Sequence, residues 1–323
     1  MILLGIDGGG TKTHALVVDE HGTVLSSAVG GPSGYHTIGL NRALNELRAV
    51  TQQALNSSRP DVAVFCLGDC DTPTDKARLQ TGLNTLPLGQ RTLVYNDSFA
   101  ALRAGSSRPY GVAVICGTGF NACGIGPDGQ QAKLPALGPL TGDWGGGSAL
   151  GRAAFGAVYR AEDGRGDPTI LTPMLLKAVG ASDLATLTDW IADGQISHSQ
   201  LSALALMVFE AAETGDRVAQ SIVIRQADEI ATTALAILRR LEMCAIDVDV
   251  VLAGGVMHGR GPLLMDTIRT RIGQACSKAN VLRLNVPPVV GAVFLAFDAL
   301  NIVPPPVNTL KLPPETLLAS LPI

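Results

Sequence analysis

One loop plan occurs twice in this chain, and it limits the possible folds more than any other feature. Near the start, the strand-like stretch ILLGID leads through GGGTK into THALVVD, and the turn EHG leads into TVLSSAV. From residue 111, GVAVIC leads through GTG into FNACGIG, and an Asp-Gly turn leads into QQAKL. The apolar and β-branched residues around both glycine loops predict strands. The sequence therefore predicts two β-meanders with glycine-rich hairpin tips, as expected from an internal duplication.

The first tip, GIDGGGTKT, has the Gly, Thr and Lys of a phosphate-binding loop but matches neither of the common nucleotide motifs. A P-loop requires Lys after its second Gly, whereas Thr11 follows Gly10. A dinucleotide loop requires a third Gly where this chain has Thr13. Both motifs also open a helix, and THALVV continues as a strand. Because glycines at a hairpin tip let backbone N–H groups approach an anion, the loop predicts a phosphate site of another kind.

Helix and strand patterns alternate along the rest of the chain. Helical spacing in LNRALNELRAVTQQAL and TDKARLQTGLNTL precedes the strands DVAVFCLGD and RTLVYND, and the second half repeats this order with longer helices. We predict an α/β fold of two domains, residues 1–106 and 107–301, each with a βββαβα core around a mixed sheet. The closing helix, 289–301, is expected to pack back on the N-terminal domain. The Pro-rich residues 302–323 are predicted to lie extended over the surface or to be mobile, with no chemistry.

Composition narrows the class of protein. The 323 residues are 46% hydrophobic, which is enough for two cores, and the net charge of −4 comes without a basic block. We therefore expect small substrates and no nucleic-acid partner. No apolar run reaches membrane-spanning length and no signal peptide is apparent, so the prediction is a cytoplasmic protein without a membrane partner. The six cysteines show no Cys-x-x-Cys pair, which argues against a zinc site or a disulfide framework and favours buried apolar thiols.

Two such halves with facing glycine-threonine tips resemble the actin-like, or RNase H-like, fold. The stretches GIDGGGTKT, YNDSFAAL, CGTGFNACG and LAGGVM, with PPVVGAVFLA as a weaker fifth, are similar to those of the BadF/BadG/BcrA/BcrD ATPase family, in its N-acetylglucosamine and glucosamine kinase branch. The resemblance implies an ATP-dependent kinase that phosphorylates a hydroxyl, expected at C6, of an amino sugar such as N-acetylglucosamine or glucosamine in a cleft between the domains. It also implies ATP and Mg²⁺ as cofactors and a homodimer.

The same resemblance assigns roles to individual residues. Asp97 would be the general base, since a sugar hydroxyl must lose its proton as it attacks the γ-phosphate. Asp7 would serve Mg²⁺ through water. The expected phosphate contacts are Gly8, Gly9, Gly10, Thr11, Lys12, Gly117, Thr118 and Gly119; the expected adenosine contacts are Gly254 and Gly255; and the expected sugar contacts are Asn96, Asp97, Gly119, Asn121, Asp143 and His36.

Local structure offers an alternative for most of these assignments. The alternatives are a helix cap at Asn96 and Asp97, a turn residue at Asp7, a solvated Lys12 or His36, a helix N-cap at Asp143 and a strand-ending turn at Gly254 and Gly255.

Three departures from the family pattern, at Gly34, Phe120 and Trp144, leave the identity of the sugar open, and Tyr35 and His36 are candidate replacement contacts. A different class of function is an ATPase that activates a 2-hydroxyacyl-CoA dehydratase through a [4Fe–4S] cluster shared across a dimer, which requires thiolate ligands. A sugar-responsive repressor is disfavoured, because the chain has no room for a DNA-binding extension before its first strand.

Overall fold

Two five-stranded mixed sheets with the same strand topology form the framework of the protein. The computed structural model describes residues 1–86, 88 and 91–314. The first sheet has the order β3-β2-β1-β4-β5 and the second β10-β9-β6-β7-β8, so each sheet is a meander extended by two parallel strands. The shared topology confirms the predicted fold class.

The strands coincide closely with the predicted ones. The first sheet contains β1 (Ile2–Gly8), β2 (Thr13–Asp19), β3 (Val24–Gly30), β4 (Val62–Leu67) and β5 (Arg91–Asn96). The second sheet contains β6 (Gly111–Cys116), β7 (Phe120–Ile125), β8 (Gln131–Lys133), β9 (Val248–Ala253) and β10 (Ala279–Arg283). The parallel strands β4 and β9 are buried along their whole length, because helices cover both faces of the sheets.

The helices differ in number between the two halves of the chain. The first half contains α1 (Tyr35–Ile38), α2 (Leu40–Leu55), α3 (Pro73–Leu83) and α4 (Asp97–Gly105). The second half contains α5 (Gly146–Glu162), α6 (Leu171–Val179), α7 (Leu184–Ala192), α8 (His198–Ala203), α9 (Ala205–Glu213), α10 (Arg217–Arg240), α11 (Leu263–Ala275) and α12 (Pro288–Ala299). Short 3₁₀ turns occur at Pro139–Thr141, Gly255–His258 and Val307–Thr309. None of these described helices combines the length and the apolar composition needed to cross a bilayer.

Helix α12 holds the two halves together by packing on β1 and α4. It follows β10 as α4 follows β5, so the two helices are counterparts in the duplicated plan. The helices approach very closely at Gly291, where a Cβ atom would lie 1.8 Å from the carbonyl oxygen of Ala100. Glycine is therefore required at this crossing, since a real Cβ needs more than 3 Å. The exact domain limits given above stay predictions.

The described part of the Pro-rich segment, residues 302–314, lies on the protein surface. Leu310 is buried in the core between α12 and the first sheet, and Pro305 lies against the turn at Gly22 between β2 and β3. Gly22 has a positive φ of 82°, as expected for the predicted turn. The remainder of the predicted tail, 315–323, lies outside the described residues.

A disulfide links Cys244 and Cys276, so the prediction against disulfides is wrong for this pair. The two cysteines are separated by 32 residues, but they precede the neighbouring parallel strands β9 and β10, which brings them together at one edge of the sheet. Sequence spacing alone does not reveal such a pair. The other four cysteines, Cys66, Cys70, Cys116 and Cys123, are free and buried, as predicted.

Candidate active site

A cleft of about 460 Å³ lies where the carboxyl ends of the central strands of both sheets meet. From the first half it is lined by Asp7, Gly9, Gly10, Thr11, Lys12, Asp97 and Ala101. From the second half it is lined by Ile115, Ala253, Gly254, Gly255, His258, Leu284, Asn285, Val286 and Pro288. The cleft thus brings eight of the predicted site residues together. A larger cavity of about 730 Å³, between α4, α12 and residues 303–308, contains none of them.

The first hairpin tip presents free backbone donors to this cleft. Its base is fixed, because the Gly9 N–H donates to the Lys12 carbonyl at 3.0 Å and the Gly9 carbonyl accepts from the Ser33 N–H at 3.0 Å. Among the described residues, no hydrogen bond occupies the backbone N–H groups of Gly10, Thr11 and Lys12. Gly10 also has open space where a side chain would be. A hairpin loop with free N–H groups and one Lys is suited to bind phosphate. The predicted Gly8 lies behind this tip, with Ser33 and Leu67 against it, and does not line the cleft.

The second hairpin tip, Gly117 to Gly119, is anchored by a helix. The Gly117 and Thr118 carbonyls accept hydrogen bonds from the N–H groups of Gly147 and Ser148, in the first turn of α5, at 2.8 and 3.0 Å. The three residues of this tip do not line the cleft in this structure. Their roles in binding phosphate stay predictions.

Gly254 joins the second tip to the cleft. Its φ is +96°, and a Cβ there would lie 2.3 Å from the Cys116 carbonyl oxygen, so only glycine fits. At Gly255, by contrast, a Cβ atom would meet no other atom within 4 Å, and this residue begins a 3₁₀ turn. The strand-ending turn proposed as the alternative is present, and it also faces the cleft.

Two carboxylates face each other in the cleft. Asp7 lies near the end of β1 and Asp97 is the first residue of α4, and both are partly buried. Burial raises the pKa of Asp7 to about 7, and the charge of Asp97 adds to the rise while Lys12 opposes it. Burial likewise raises the pKa of Asp97 to about 6, with the charge of Asp71 adding and Lys133 opposing. Carboxylates whose charge is disfavoured in the free protein are typical of sites that bind a cation or take up a proton.

The residue before Asp97 is a helix cap. Asn96 is 2% exposed, and its side-chain oxygen accepts from the Ser98 N–H at 3.2 Å. The same oxygen accepts from Nδ2 of Asn121 at 3.2 Å. The cap alternative therefore holds for Asn96, while Asp97 is left to face the cleft. The structure thus places three of the predicted sugar residues, Asn96, Asp97 and Asn121, side by side.

His36 lies apart from this group, on the other side of the first tip. Its imidazole is 51% exposed and lies 3.8 Å from Asp69 and 3.5 Å from Asp75, and its backbone N–H donates to Asp69 at 2.7 Å. It is therefore held between carboxylates rather than being fully solvated, and it does not line the cleft.

Asp143 also lies outside the cleft walls. Its carboxylate accepts from the Gly138 N–H at 2.9 Å and from the Thr141 hydroxyl at 2.6 Å. Helix α5 begins at Gly146 without a side-chain cap, so the N-cap alternative for Asp143 is wrong. Its contact with a sugar stays a prediction.

Sequence reasoning missed several residues of the site. Asn285 and His258 line the cleft after β10 and β9, and the rule that ligands bind at the carboxyl ends of parallel strands would have pointed to them. Asp69 and Asp71, in the loop after β4, act on the charge of Asp97. That loop follows the strand next to β5, and its acidic sequence was the available signal.

The cleft fits a nucleotide with Mg²⁺. Its glycines leave space beside free N–H groups, and Asp7 supplies a carboxylate whose charge a divalent cation would favour. The described residues contain no group of three or more His, Cys, Asp or Glu side chains arranged to hold a metal. Mg²⁺ is usually bound by one or two carboxylates together with phosphates and water.

The sequence model of one family matches residues 4–296, which is nearly the whole chain. The chain belongs to the BadF/BadG/BcrA/BcrD ATPase family. Among the proteins similar to this chain is an N-acetyl-D-glucosamine kinase of Dictyostelium discoideum, which is 29% identical over 92% of this chain and 98% of its own length. An N-acetylmuramic acid/N-acetylglucosamine kinase of Clostridium acetobutylicum is 28% identical over 91% of this chain and 97% of its own length.

Solved structures share the fold. A Chromobacterium violaceum protein provisionally named N-acetylglucosamine kinase has a TM-score of 0.69 and 24% identity, over 91% of this chain and 98% of its own. A ROK family glucokinase from Streptomyces griseus, in complex with glucose and AMPPNP, has a TM-score of 0.54 and 21% identity, over 92% of this chain and all of its own. These comparisons confirm the predicted family and fold.

Proposed function

We propose that the protein is an ATP-dependent kinase that phosphorylates a hydroxyl of an amino sugar, with the C6 hydroxyl of N-acetylglucosamine or glucosamine as the first candidates. The observation that carries the proposal is the pair of carboxylates, Asp7 and Asp97, beside a hairpin tip with free N–H groups. The names of its two curated relatives support a sugar with an N-acetyl group.

Asp97 is the proposed general base. It stands at the carboxyl end of β5, where it faces the cleft, and its pKa of about 6 leaves it ionised at neutral pH but able to take up a proton. The base accepts the proton of the sugar hydroxyl as the hydroxyl oxygen attacks the γ-phosphorus and the bond to the β-phosphate oxygen breaks. Asn96 and Asn121 would orient the sugar beside it.

The first tip and Lys12 are proposed to bind the phosphates, with Gly254 and Gly255 beside the adenosine. Mg²⁺, when bound near Asp7, would neutralise charge on the phosphate oxygens. The second tip would complete the phosphate site, since the two halves of such folds close around their ligands and exclude water.

The cysteines do not support the alternative function, an ATPase that activates a dehydratase. A cluster shared between subunits requires thiolates at a surface. The four free cysteines are buried, and burial raises the pKa of Cys70 to about 11 and of Cys123 to about 12. Their thiols are therefore neutral core groups.

We further propose that the protein is a cytoplasmic homodimer, as the family resemblance suggests. Light scattering coupled to size-exclusion chromatography measures the mass in solution, and a mass near 33.4 kDa would contradict the dimer.

An ADP-release assay tests the kinase. The acceptors are glucosamine, N-acetylglucosamine, N-acetylmuramic acid, N-acetylmannosamine, anhydro-muramic acid and glucose, with a reaction lacking sugar as the baseline. We expect an amino sugar to stimulate ADP release and Asp97→Asn to abolish the stimulation. If no sugar raises ADP release above the baseline, or if Asp97→Asn keeps full activity, the proposal fails.

A further inference from the structure

A line of side-chain hydrogen bonds crosses from one half of the protein to the other beside Asp97. Lys133, the last residue of β8, donates from Nζ to Oδ1 of Asp71 at 2.9 Å. The same oxygen accepts from Nδ2 of Asn96 at 3.1 Å. Asn96 in turn accepts from Nδ2 of Asn121, on β7, at 3.2 Å. Lys133, Asp71, Asn96 and Asn121 therefore connect the second sheet to the carboxyl end of the first.

Shielding from solvent makes this connection stronger than a surface ion pair. The Lys133 and Asp71 side chains are only 15% and 19% exposed. An exposed pair contributes little, whereas a shielded pair is screened less, and removing one partner leaves the other charge partly buried and unpaired. Among the described residues, Lys133 is the one cation paired with Asp71, and Asp69, Asp75 and Asp97 are acidic neighbours whose charges interact with that of Asp71.

The connection also fixes the amide of Asn96. An amide has one donor end and one acceptor end, while an ionised carboxylate only accepts. Nδ2 of Asn96 donates to Asp71 and, at 3.4 Å, to the Gly68 carbonyl, while its Oδ1 end faces Ser98 and Asn121. The Ser98 N–H and the Gly68 carbonyl favour this orientation on their own, and Asp71 adds the shorter and charged acceptor. Lys133, through Asp71, therefore reinforces the orientation of the residue that precedes the proposed base.

We propose that Lys133 is a positioning residue that acts through Asp71: it latches the two halves together and reinforces the orientation of the Asn96 amide against which the sugar is held. The inference rests on the kinase function proposed above. Lys133 does not line the cleft; together with Asp71 and Asn96 it lines a smaller cavity of about 220 Å³. Its effect on catalysis is therefore indirect.

Kinetics of Lys133→Met, Lys133→Arg and Asp71→Asn test the positioning. The methionine keeps the length of the stem without the charge, and the arginine keeps the charge. For the sugar that the wild type accepts, we expect Lys133→Met and Asp71→Asn to lower kcat/KM about tenfold through the KM for the sugar, while the KM for ATP stays within about twofold. Lys133→Arg is expected to retain most of the activity, and the double variant Asp71→Asn/Lys133→Met to be no worse than either single one.

Equal rises in both KM values, a failure of arginine to substitute for lysine, or additive losses in the double variant would each overturn the proposal. Arg271→Met is the matched control, because it removes one cation from an exposed pair with Asp228 that joins α10 and α11. It is expected to leave both KM values unchanged.

Small-angle X-ray scattering of the ligand-free proteins tests the latch independently of activity. We expect a larger radius of gyration in Lys133→Met and Asp71→Asn than in the wild type, Lys133→Arg and Arg271→Met. An unchanged radius in the first two variants would contradict the latch. If the wild type phosphorylated no sugar, the kinase proposal would fail while the scattering result still decided the latch, so the two failures are distinguishable.

Discussion

The two halves of this protein share one strand topology but divide the chemistry unequally. In the first half, β1 carries a carboxylate next to its last residue, the hairpin tip carries a lysine, and the helix after the last strand begins with Asp97. In the second half, β6 is apolar to its last residue and the helix after the last strand begins with Pro288. The duplicated plan thus supplies a cleft, and divergence has placed both reactive carboxylates on one side of it.

Two carboxylates, the buried Asp249 and the partly buried Asp97, show what this difference means physically. Asp249, on β9, is 1% exposed and accepts hydrogen bonds from Ser106, from the N–H and hydroxyl of Ser107, and from Asn280. Although burial opposes it, these bonds and the charge of Arg108, 3.3 Å away, lower the pKa of Asp249. Within the described part of the chain, Asp97 has no comparable set of donors, although the Ser98 backbone hydrogen-bonds to it, and burial raises its pKa. A satisfied carboxylate stabilises the fold, whereas an unsatisfied one is available for a ligand.

The largest expected effect separates these two residues. Asp97→Asn should lower kcat by about 10²-fold or more, because it removes the general base, and should leave the melting temperature unchanged or higher. Asp249→Asn should lower the free energy of unfolding by about 1–3 kcal/mol, because the NH₂ group of the new amide would face groups that now donate hydrogen bonds to the carboxylate. The kcat of the folded variant should be unchanged. Steady-state kinetics and thermal unfolding of both variants measure this. The contrast between the halves breaks down if Asp249→Asn is the inactive, stable variant.

A pair of helical glycines tests the contact between the halves. Gly291→Ala places a Cβ 1.8 Å from one backbone atom of α4 and 2.6 Å from another, so α4 and α12 must move apart. We expect a loss of about 3 kcal/mol in the free energy of unfolding. Gly273→Ala, in α11, meets nothing within 4 Å and should gain about 0.5–1 kcal/mol, as alanine does in an exposed helix. Urea denaturation measures both, and similar values for the two variants would show that the close crossing is absent in solution.

These examples show which features the sequence predicted. The strands, the two tips and the turns followed from alternating apolar residues and glycine positions, because these elements depend mainly on residues that are close together in sequence. Half of the cleft residues followed from the family resemblance. The disulfide between Cys244 and Cys276, the pairing of Lys133 with Asp71 and the glycine requirement at Gly291 did not, because each depends on segments far apart in sequence.

The charge of the first tip is tested by Lys12→Met. The second tip, GTG, carries no cation, so Lys12 is the charge that the paired loops offer to phosphate. We expect the KM for ATP to rise about tenfold, with a small change in the KM for the sugar, because a charged contact to phosphate is lost. Lys311→Met, at an exposed lysine of the Pro-rich segment, is the control. An unchanged KM for ATP would show that Lys12 does not contact phosphate and would support the alternative, a solvated lysine.

The smallest effect concerns Asp7 and pH. Since the pKa of Asp7 is about 7 in the folded protein and 3.8 in its ordinary state, the folded protein binds more protons between these values, and its stability falls as pH rises through them. Asp7→Asn removes this loss. Its melting temperature should match the wild type near pH 4 and exceed it at pH 8 by the equivalent of about 1–2 kcal/mol. A difference that shrinks as pH rises would show that Asp7 is stabilised as a carboxylate.

The sequence by itself determined the duplicated α/β plan, the two glycine tips and the family, because these rest on short-range patterns and on motifs in a fixed order. Only the tertiary structure decided which carboxylates stay unsatisfied and which are fully bonded, since that depends on donors contributed by distant segments. It also decided that the cleft contains Asn285 and His258 and that Lys133 reaches Asp71 across the two halves. The pKa of a carboxylate depends on its burial, its hydrogen-bond donors and the charges near it, and these are in place only when the chain has folded.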